Sequence, residues 1–304
     1  MLPTVESVFG DDRRYSWGKS DGREALEERF FSAIRLSNGV HKLTWSGRLD
    51  DVDQSLLVVF RRLGVAPSKF LDVGVSSGIA TAQWLDTLQE AGLSPSMTAT
   101  DLTMNAYLVK LYPWLYVLVD REGCPLHYDL LGGGFRPRTR IRYYVFGGFF
   151  LTLMFDRVYR KMSQRLGLSD RLAALEGNPP RVDDPVIKAQ IRMVTHRLRH
   201  NKAIELLDDD ITKPTPRHLQ GQFEVIRAAN ILNWCYFTSR QLRDCVENLR
   251  DRLVGPGGLL LIVRTEHGNG NHGSVFRLNE KGSFDLVSRV GKGSEIEDLV
   301  LSTT

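Results

Sequence analysis

The chain has 304 residues, 40 of them basic and 36 acidic, for a formal charge of +4. With 42% apolar and 25% charged side chains it holds enough apolar surface for a core, which excludes disorder over most of its length. Three cysteines (Cys124, Cys235 and Cys245) without C-x-x-C spacing argue against a disulfide scaffold or a structural zinc site. No basic-then-apolar leader and no apolar run of ~20 residues is visible, so the expected setting is cytoplasmic and reducing.

Residues 1–64 read as an N-terminal helical segment. Leu26, Phe30, Phe31 and Ile34 fall at helical spacing, as do Leu49, Val52, Leu56, Phe60 and Leu63. A short apolar strand, Lys69 to Val73, then runs into the turn Gly74-Val75-Ser76-Ser77-Gly78. The turn opens a helix carrying Ile79, Ala82, Trp84, Leu85 and Leu88. A second strand, Met97 to Thr100, ends on Asp101. This order is one half of a doubly wound nucleotide fold.

The next hundred residues do not continue it. The pattern resumes with strands at Ala203–Leu207 and Phe223–Ile226. Thr238 with Gln241 fits a capping box, followed by the stripe Leu242, Val246, Leu249 and Leu253. A fully apolar strand, Leu259 to Val263, comes next. The segments Val275–Leu278 and Phe284–Val290 read as a terminal hairpin.

The segment Asp72 to Gly78, D-V-G-V-S-S-G, is the informative one. Gly74 permits the turn and Gly78 permits close backbone approach to a ligand. Amides at the helix start face whatever sits above the strand ends. The alternative is that these glycines serve packing only. Asp101, at the next strand end, can grip a ribose diol, or else cap a helix. Asp210, with Ile211, can accept from an exocyclic amine, or else form a solvated turn.

The glycine motif, Asp101, the Asp210-Ile211 pair, the strand-end segment Ala228 to Asn233, the Leu253–Gly258 turn and the hairpin together resemble class I S-adenosylmethionine-dependent methyltransferases. Ser76 replaces the middle glycine of the family's D-x-G-x-G-x-G pattern. The resemblance implies an α/β fold: a doubly wound seven-stranded sheet in the order 3-2-1-4-5-7-6, strand 7 antiparallel. It covers residues 65–102 and 200–304. It also implies that S-adenosylmethionine is bound by Asp72, Gly74, Ser76, Gly78, Asp101, Leu102, Asp210, Ile211 and Asn230, with Asn230 facing the acceptor. The stretch Ile226 to Phe237 is similar to the corresponding stretch of chemotaxis-receptor methyltransferases over those twelve residues only.

Methyl transfer from a sulfonium is a displacement in which the protein mainly aligns the acceptor. Asn230, Tyr236 and His267 are the residues expected to position it. Trp234, Glu266 and His272 lie in the same strand-end loops, where His267 or His272 could serve as a base near neutral pH. Packing beneath a helix and a solvated loop are the bland alternatives. Asn178-Pro179-Pro180 lacks the aromatic residue and the position of a DNA amino-methyltransferase motif. His196 and His200 flank Arg197 where a zinc protease needs glutamate. No metal is expected.

Residues 103–199 form a large insertion after strand 2, expected to be a hairpin (Leu115–Val119 with Leu126–Leu131) plus a basic, aromatic helical lid. Residues 136–165 hold eight basic side chains, among them Arg136, Arg138, Arg140 and Arg142, against the single acid Asp156. The thirteen-residue run Tyr143 to Phe155 lies between the arginines. As a helix it would reach ~20 Å, short of the ~30 Å hydrocarbon layer. A lid or dimer contact, or peripheral membrane contact, fits this composition; nucleic acid is disfavoured because the apolar block does not suit a wet groove. The expectation is therefore a methyltransferase for a hydrophobic or membrane-associated small molecule. The alternatives are a protein carboxylate or RNA acceptor, and a non-catalytic interaction module.

Overall fold

The computed structural model describes residues 2–10, 20–34, 46–137, 148–266 and 270–303. In chain order the elements begin with α1 (Val5–Phe9), α2 (Ser20–Phe31), α3 (Asp50–Leu63), β1 (Lys69–Val73), α4 (Ile79–Glu90) and β2 (Ser96–Asp101). β3 (Asn105–Tyr112), β4 (Leu115–Val119), β5 (Pro125–Leu130), β6 (Gly133–Phe135), α5 (Gly148–Leu166), α6 (Leu168–Ala173) and β7 (Ile187–Arg192) follow. The chain ends with α7 (His196–His200), β8 (Ile204–Asp208), β9 (Val225–Ala229), α8 (Ser239–Arg252), β10 (Leu259–Glu266), β11 (Gly270–Leu278), β12 (Phe284–Val290) and α9 (Glu297–Ser302).

These elements belong to two compact units, one of Met1–Thr44 with Met104–His196 and the other of Trp45–Thr103 with Arg197–Thr304. The helical segment expected as one piece over 1–64 is thus divided. α1 and α2 go with the insertion, whereas α3 joins the second unit.

The second unit is a seven-stranded sheet in the order β8-β2-β1-β9-β10-β11-β12. β8, β2, β1, β9 and β10 are parallel, while β11 is antiparallel to β10 and β12 to β11. Counted within the unit the order is 3-2-1-4-5-6-7, which corrects the expected 3-2-1-4-5-7-6. The reason is the length of one connection. Glu266 pairs with Gly270, so only three residues join β10 to β11. That suffices for a hairpin but not for the crossover that would carry the next strand to the sheet edge. The expected hairpin of β11 with β12 is present.

The central strands are buried on both faces, hence their nearly continuous apolar runs. On one face Leu71, Ile226, Leu260 and Phe276 meet Leu242, Val246 and Leu249 of α8. α8 starts with the expected reciprocal capping box of Thr238 and Gln241. On the other face Phe70 lies between Phe60 of α3 and Trp84 of α4, at ring separations of 6.3 and 5.4 Å.

The first unit is a five-stranded antiparallel sheet in the order β6-β5-β4-β3-β7. The expected hairpin is β4 with β5; the other three strands of the insertion were not expected. Side chains alternate between the sheet's faces. Tyr107, Val109, Val117 and Tyr128 meet Phe155 and Tyr159 of α5, while Ala106, Leu118 and Leu126 meet Val5, Val8, Phe30 and Phe31 of α1 and α2. The aromatic helix expected as a lid therefore packs on the insertion's own sheet, with Arg157, Arg160, Lys161 and Arg165 exposed. Arg138, Arg140 and Arg142, with Tyr143 to Gly147 of the apolar run, lie outside the described residues. Among the described residues no helix is long and apolar enough to cross a membrane.

Candidate functional site

In the second unit β1 is flanked by β2 on one side and β9 on the other, so the loops leaving β1 and β9 part at the carboxyl ends of the strands. Such a switch point is where open α/β sheets bind ligands. The loop after β1 is left-handed at Gly74, Ser76 and Gly78, with φ of +71°, +57° and +80°. Ser76 therefore takes, at some strain, a conformation that glycine takes freely. The amides of Gly74 and Val75 donate to the Thr100 carbonyl at 2.6 and 3.1 Å. The Ser76 amide donates to Asp101 Oδ2 at 2.7 Å, and the Leu102 amide to Asp101 Oδ1 at 2.8 Å. Asp101 is thus fastened to the glycine loop rather than capping a helix. Each carboxylate oxygen keeps a second lone pair for another donor. Leu102 beside it is 65% exposed.

Asp72 stands elsewhere. Its carboxylate is buried and accepts from Arg227 Nε and Nη2 at 3.0 and 2.7 Å and from the Thr81 hydroxyl at 2.7 Å. Arg227 also donates to Asp53 of α3 at 2.7 Å and lies 4.1 Å over the Trp84 ring. The expectation that Asp72 contacts a cofactor gives way here to a structural role, because its acceptors are spent inside the core. Two carboxylates face one guanidinium. Burial pushes Asp53 up to about 6, against the pull of Arg227. Burial also opposes the charge of Arg227, but Asp72 and Asp53 outweigh it and hold the guanidinium above its ordinary range. Arg227 sits in an otherwise apolar strand, and no spacing in the sequence marks its partners.

At the tip of β9, Asn230 is left-handed at φ +62°. Its Oδ1 accepts from the Thr265 amide at 2.7 Å, and its Nδ2 donates to Thr265 Oγ1 at 3.3 Å. Thr265 Oγ1 in turn donates to Asn271 Oδ1 at 2.7 Å, and Asn271 Nδ2 to Asp51 at 2.6 Å. The network ties the tips of β9, β10 and β11 to α3. The next residue, Ile231, lies on Gly74, and Leu198 lies on Gly78: a Cβ on either glycine would collide with that side chain. Both glycines therefore serve close packing of this chain's own residues.

Asp210 accepts from the Thr212 amide and hydroxyl at 3.0 and 2.6 Å, so it organises a turn just past β8. Ile211 is buried in the core. The neighbouring Asp209 was not singled out from the sequence; it pairs with the buried Arg252 at 2.6 Å, and its amide donates to the Asp101 carbonyl at 2.8 Å. Nothing in the run Asp208-Asp209-Asp210 distinguishes the three acids.

Trp234 and Tyr236 are 46% and 48% exposed, so neither packs beneath a helix. Trp234 Nε1 donates to the Glu295 carbonyl at 3.1 Å. Arg264 pairs with Glu295 at 2.6 Å and reaches Cys235 Sγ at 3.5 Å. His272 Nε2 lies 3.7 Å from Glu266, and its Nδ1 accepts from the Lys292 amide at 3.1 Å. His267 lies outside the described residues.

No family model and no curated protein matches the chain. Among solved structures it is similar to the CMeT domain of the citrinin polyketide synthase, at 14% identity and TM-score 0.35, covering 81% of this chain and 40% of that one. It is similar to the N-methyltransferase NodS from Bradyrhizobium japonicum WM9 in complex with S-adenosyl-l-homocysteine, at 12% identity and TM-score 0.33, covering 79% and 71%. It is also similar to SAM-bound CalS10, an amino pentose methyltransferase from Micromonospora echinaspora, at 12% identity and TM-score 0.32, covering 79% and 66%. It is likewise similar to a putative Zn-dependent alcohol dehydrogenase from Rhodobacter sphaeroides, at 15% identity and TM-score 0.30, covering 80% and 54%. A likeness this slight says nothing of substrate, and the chain spans less than half of the first of these chains. By its own topology the second unit is a doubly wound, Rossmann-like unit whose five parallel strands run in the order 3-2-1-4-5.

Proposed function

We propose that the protein is a methyltransferase that binds S-adenosylmethionine across the tips of β1 and β2 and methylates a hydrophobic small molecule. One observation carries this reading: a carboxylate at the end of β2, Asp101, is fixed by the amide of the left-handed Ser76 at the switch point of the sheet. An acid so held keeps lone pairs for the two ribose hydroxyls, and the exposed Leu102 offers an apolar surface beside them. Asp210, engaged in its own turn, retains an oxygen for an adenine amine. When bound, the cofactor supplies an electrophilic methyl group with its leaving group attached. The chain's own residues then have to align the acceptor and exclude water. Trp234 and Tyr236 present aromatic surface for that purpose, and the Asn230–Thr265 tie fixes the β9 tip from which their loop leaves.

A second reading is a non-catalytic interaction module with this fold. Ile231 on Gly74 and Leu198 on Gly78 favour it, because those side chains lie where the glycine loop would cradle a ligand. Isothermal titration with S-adenosylmethionine separates the two. Micromolar binding that is lost in Asp101→Ala supports the transferase, and radiolabelled methyl transfer to fractionated host extract then identifies the acceptor. Absence of binding leaves the module.

A further inference from the structure

We propose that the first unit carries a small-molecule site of its own, built to hold an ammonium group attached to an apolar or aromatic body. On the sheet face opposite α5, α1 and α2 pack against Ala106, Leu118 and Leu126, and α1 is five residues long. Beside it a cleft of about 520 Å3 remains, within the size range of small-molecule sites. Its walls include the rings of Phe9, Trp114 and Tyr116 and the carboxylates of Glu6 and Asp129. Among the described residues no lysine, arginine or histidine lines it. That is notable in a unit whose α5 carries an exposed row of arginines.

The chemistry of the lining selects the ligand. Aromatic faces attract cations, and the carboxylates of Glu6 and Asp129 in the lining add charge complementarity. Asp129 is held in place: its Oδ2 accepts from the Val5 amide at 2.8 Å, and its Oδ1 lies 3.1 Å from the buried His127 Nε2. Trp114 is stacked on Tyr112 at 5.1 Å and 6° yet stays 44% exposed, so a rigid ring is offered to solvent at the cleft.

The rim supplies an independent observation. The β5–β6 turn consists of Leu131 and Gly132, both left-handed, with φ of +47° and +82°. Asn-Gly or Gly-Gly fills such a turn without strain. Here a leucine takes the strained place and leaves its side chain 82% exposed at the cleft. Strain of this kind persists where a side chain has a task other than folding. An apolar flap over the body of a bound cation is such a task. The inference does not rest on the transferase reading, since every lining residue belongs to the first unit.

The test is isothermal titration of the full chain with phenyltrimethylammonium chloride, alongside benzyl alcohol and benzoate. The expected result is saturable one-to-one binding of the ammonium compound, with benzyl alcohol weaker and benzoate silent. Affinity should fall about tenfold in Trp114→Ala and several-fold in Glu6→Gln. Leu131→Gly should weaken binding while raising the melting temperature, because it removes the flap together with the strain. No saturable binding, equal binding of benzyl alcohol or benzoate, or unchanged affinity in the Trp114 variant would overturn the proposal. Should Trp114→Ala fail to fold, the Glu6 and Leu131 variants decide on the same terms.

Discussion

The amide of Ser76 donates to Asp101 Oδ2 at 2.7 Å, so the loop after β1 and the last residue of β2 are locked to each other rather than merely adjacent. This bond separates two functions of one carboxylate. Asp101→Asn keeps an acceptor for the Ser76 amide through its own oxygen but lacks the charge that grips a diol. Asp101→Ala loses both. Asn turns its NH2 toward the Leu102 amide, so it is expected to lower stability, though by less than Ala, and to weaken S-adenosylmethionine binding by about tenfold or more, in line with the loss of a charge-assisted pair. Ala should also lower stability, by about 1–2 kcal/mol. Calorimetry of both variants with titrations in parallel checks this. Equal cofactor affinity in wild type and Asn would remove Asp101 from the site.

The buried cluster of Asp53, Asp72 and Arg227 predicts a pH signature with a definite sign. Asp53 sits at about 6 in the folded chain against an ordinary 3.8, because burial penalises its charge. Folding then takes up a proton between those values. The contribution of Asp53 is fully present below its unfolded value and is lost as pH rises through 6. Asp53→Asn removes that loss. Urea midpoints at pH 4.5 and pH 7.5 should show the variant gaining about 2 kcal/mol more, relative to wild type, at the higher pH. Subtracting wild type cancels the opposite drift from Glu297, held below its usual range chiefly by its hydrogen bond to Arg289, and from Asp184, lowered by the Ile187 and Val186 amides against a desolvation effect. A pH-independent difference would place Asp53 outside the cluster.

Arg227 itself is expected to be far less tolerant. Arg227→Met leaves two buried acids facing each other and should destabilise the second unit by about 3–5 kcal/mol. Denaturant unfolding followed by tryptophan fluorescence reads this, since Trp84 lies against the guanidinium. A shift below ~1 kcal/mol would mean that the acids find water or other donors on their own.

What the sequence disclosed follows from where each signal originates. β1, α4, β2 and α8 are local: a glycine turn, a 3.6-residue stripe and a capping box all lie within a few residues of the elements they define. β3 and β7 escaped because both faces of their sheet carry apolar side chains that pack on helices. In β3, Tyr107 and Val109 serve one core while Ala106 serves the other, so polar alternation is blurred. The run His267 to Gly273 reads as a loop by composition, yet Gly270 to Gly273 belong to β11. The misplacement of Asp72 has a different origin. Whether that carboxylate turns toward a ligand or inward is decided by Arg227, 155 residues away. Asp101, Leu102 and Asn230 were legible as strand-end residues, but the amide that fixes Asp101 and the Thr265 that occupies Asn230 are tertiary facts.

The contact of Ile231 with Gly74 can be measured as a coupling. Gly74→Ala forces an alanine into φ +71° and into collision with Ile231, for an expected loss of about 2–4 kcal/mol. Ile231→Ala alone opens a small cavity. In the double variant the collision is gone, and the pair should be more stable than the sum of single effects predicts by ~1 kcal/mol or more. Strict additivity would mean that the two residues do not touch in solution.

Asn230 offers the last discrimination, between backbone strain and side-chain function. At φ +62° glycine is relaxed, and alanine keeps the strain while losing the bonds to Thr265. Asn230→Gly should therefore be more stable than Asn230→Ala by about 1 kcal/mol. Methyl transfer obeys a different rule. If the amide holds the β9 tip in register for the acceptor, both variants lose it equally, and turnover should fall by a similar factor in each despite their unequal melting temperatures. A rate that instead tracks stability across the two variants would assign Asn230 to the scaffold alone, and Trp234 and Tyr236 would then have to align the acceptor without it.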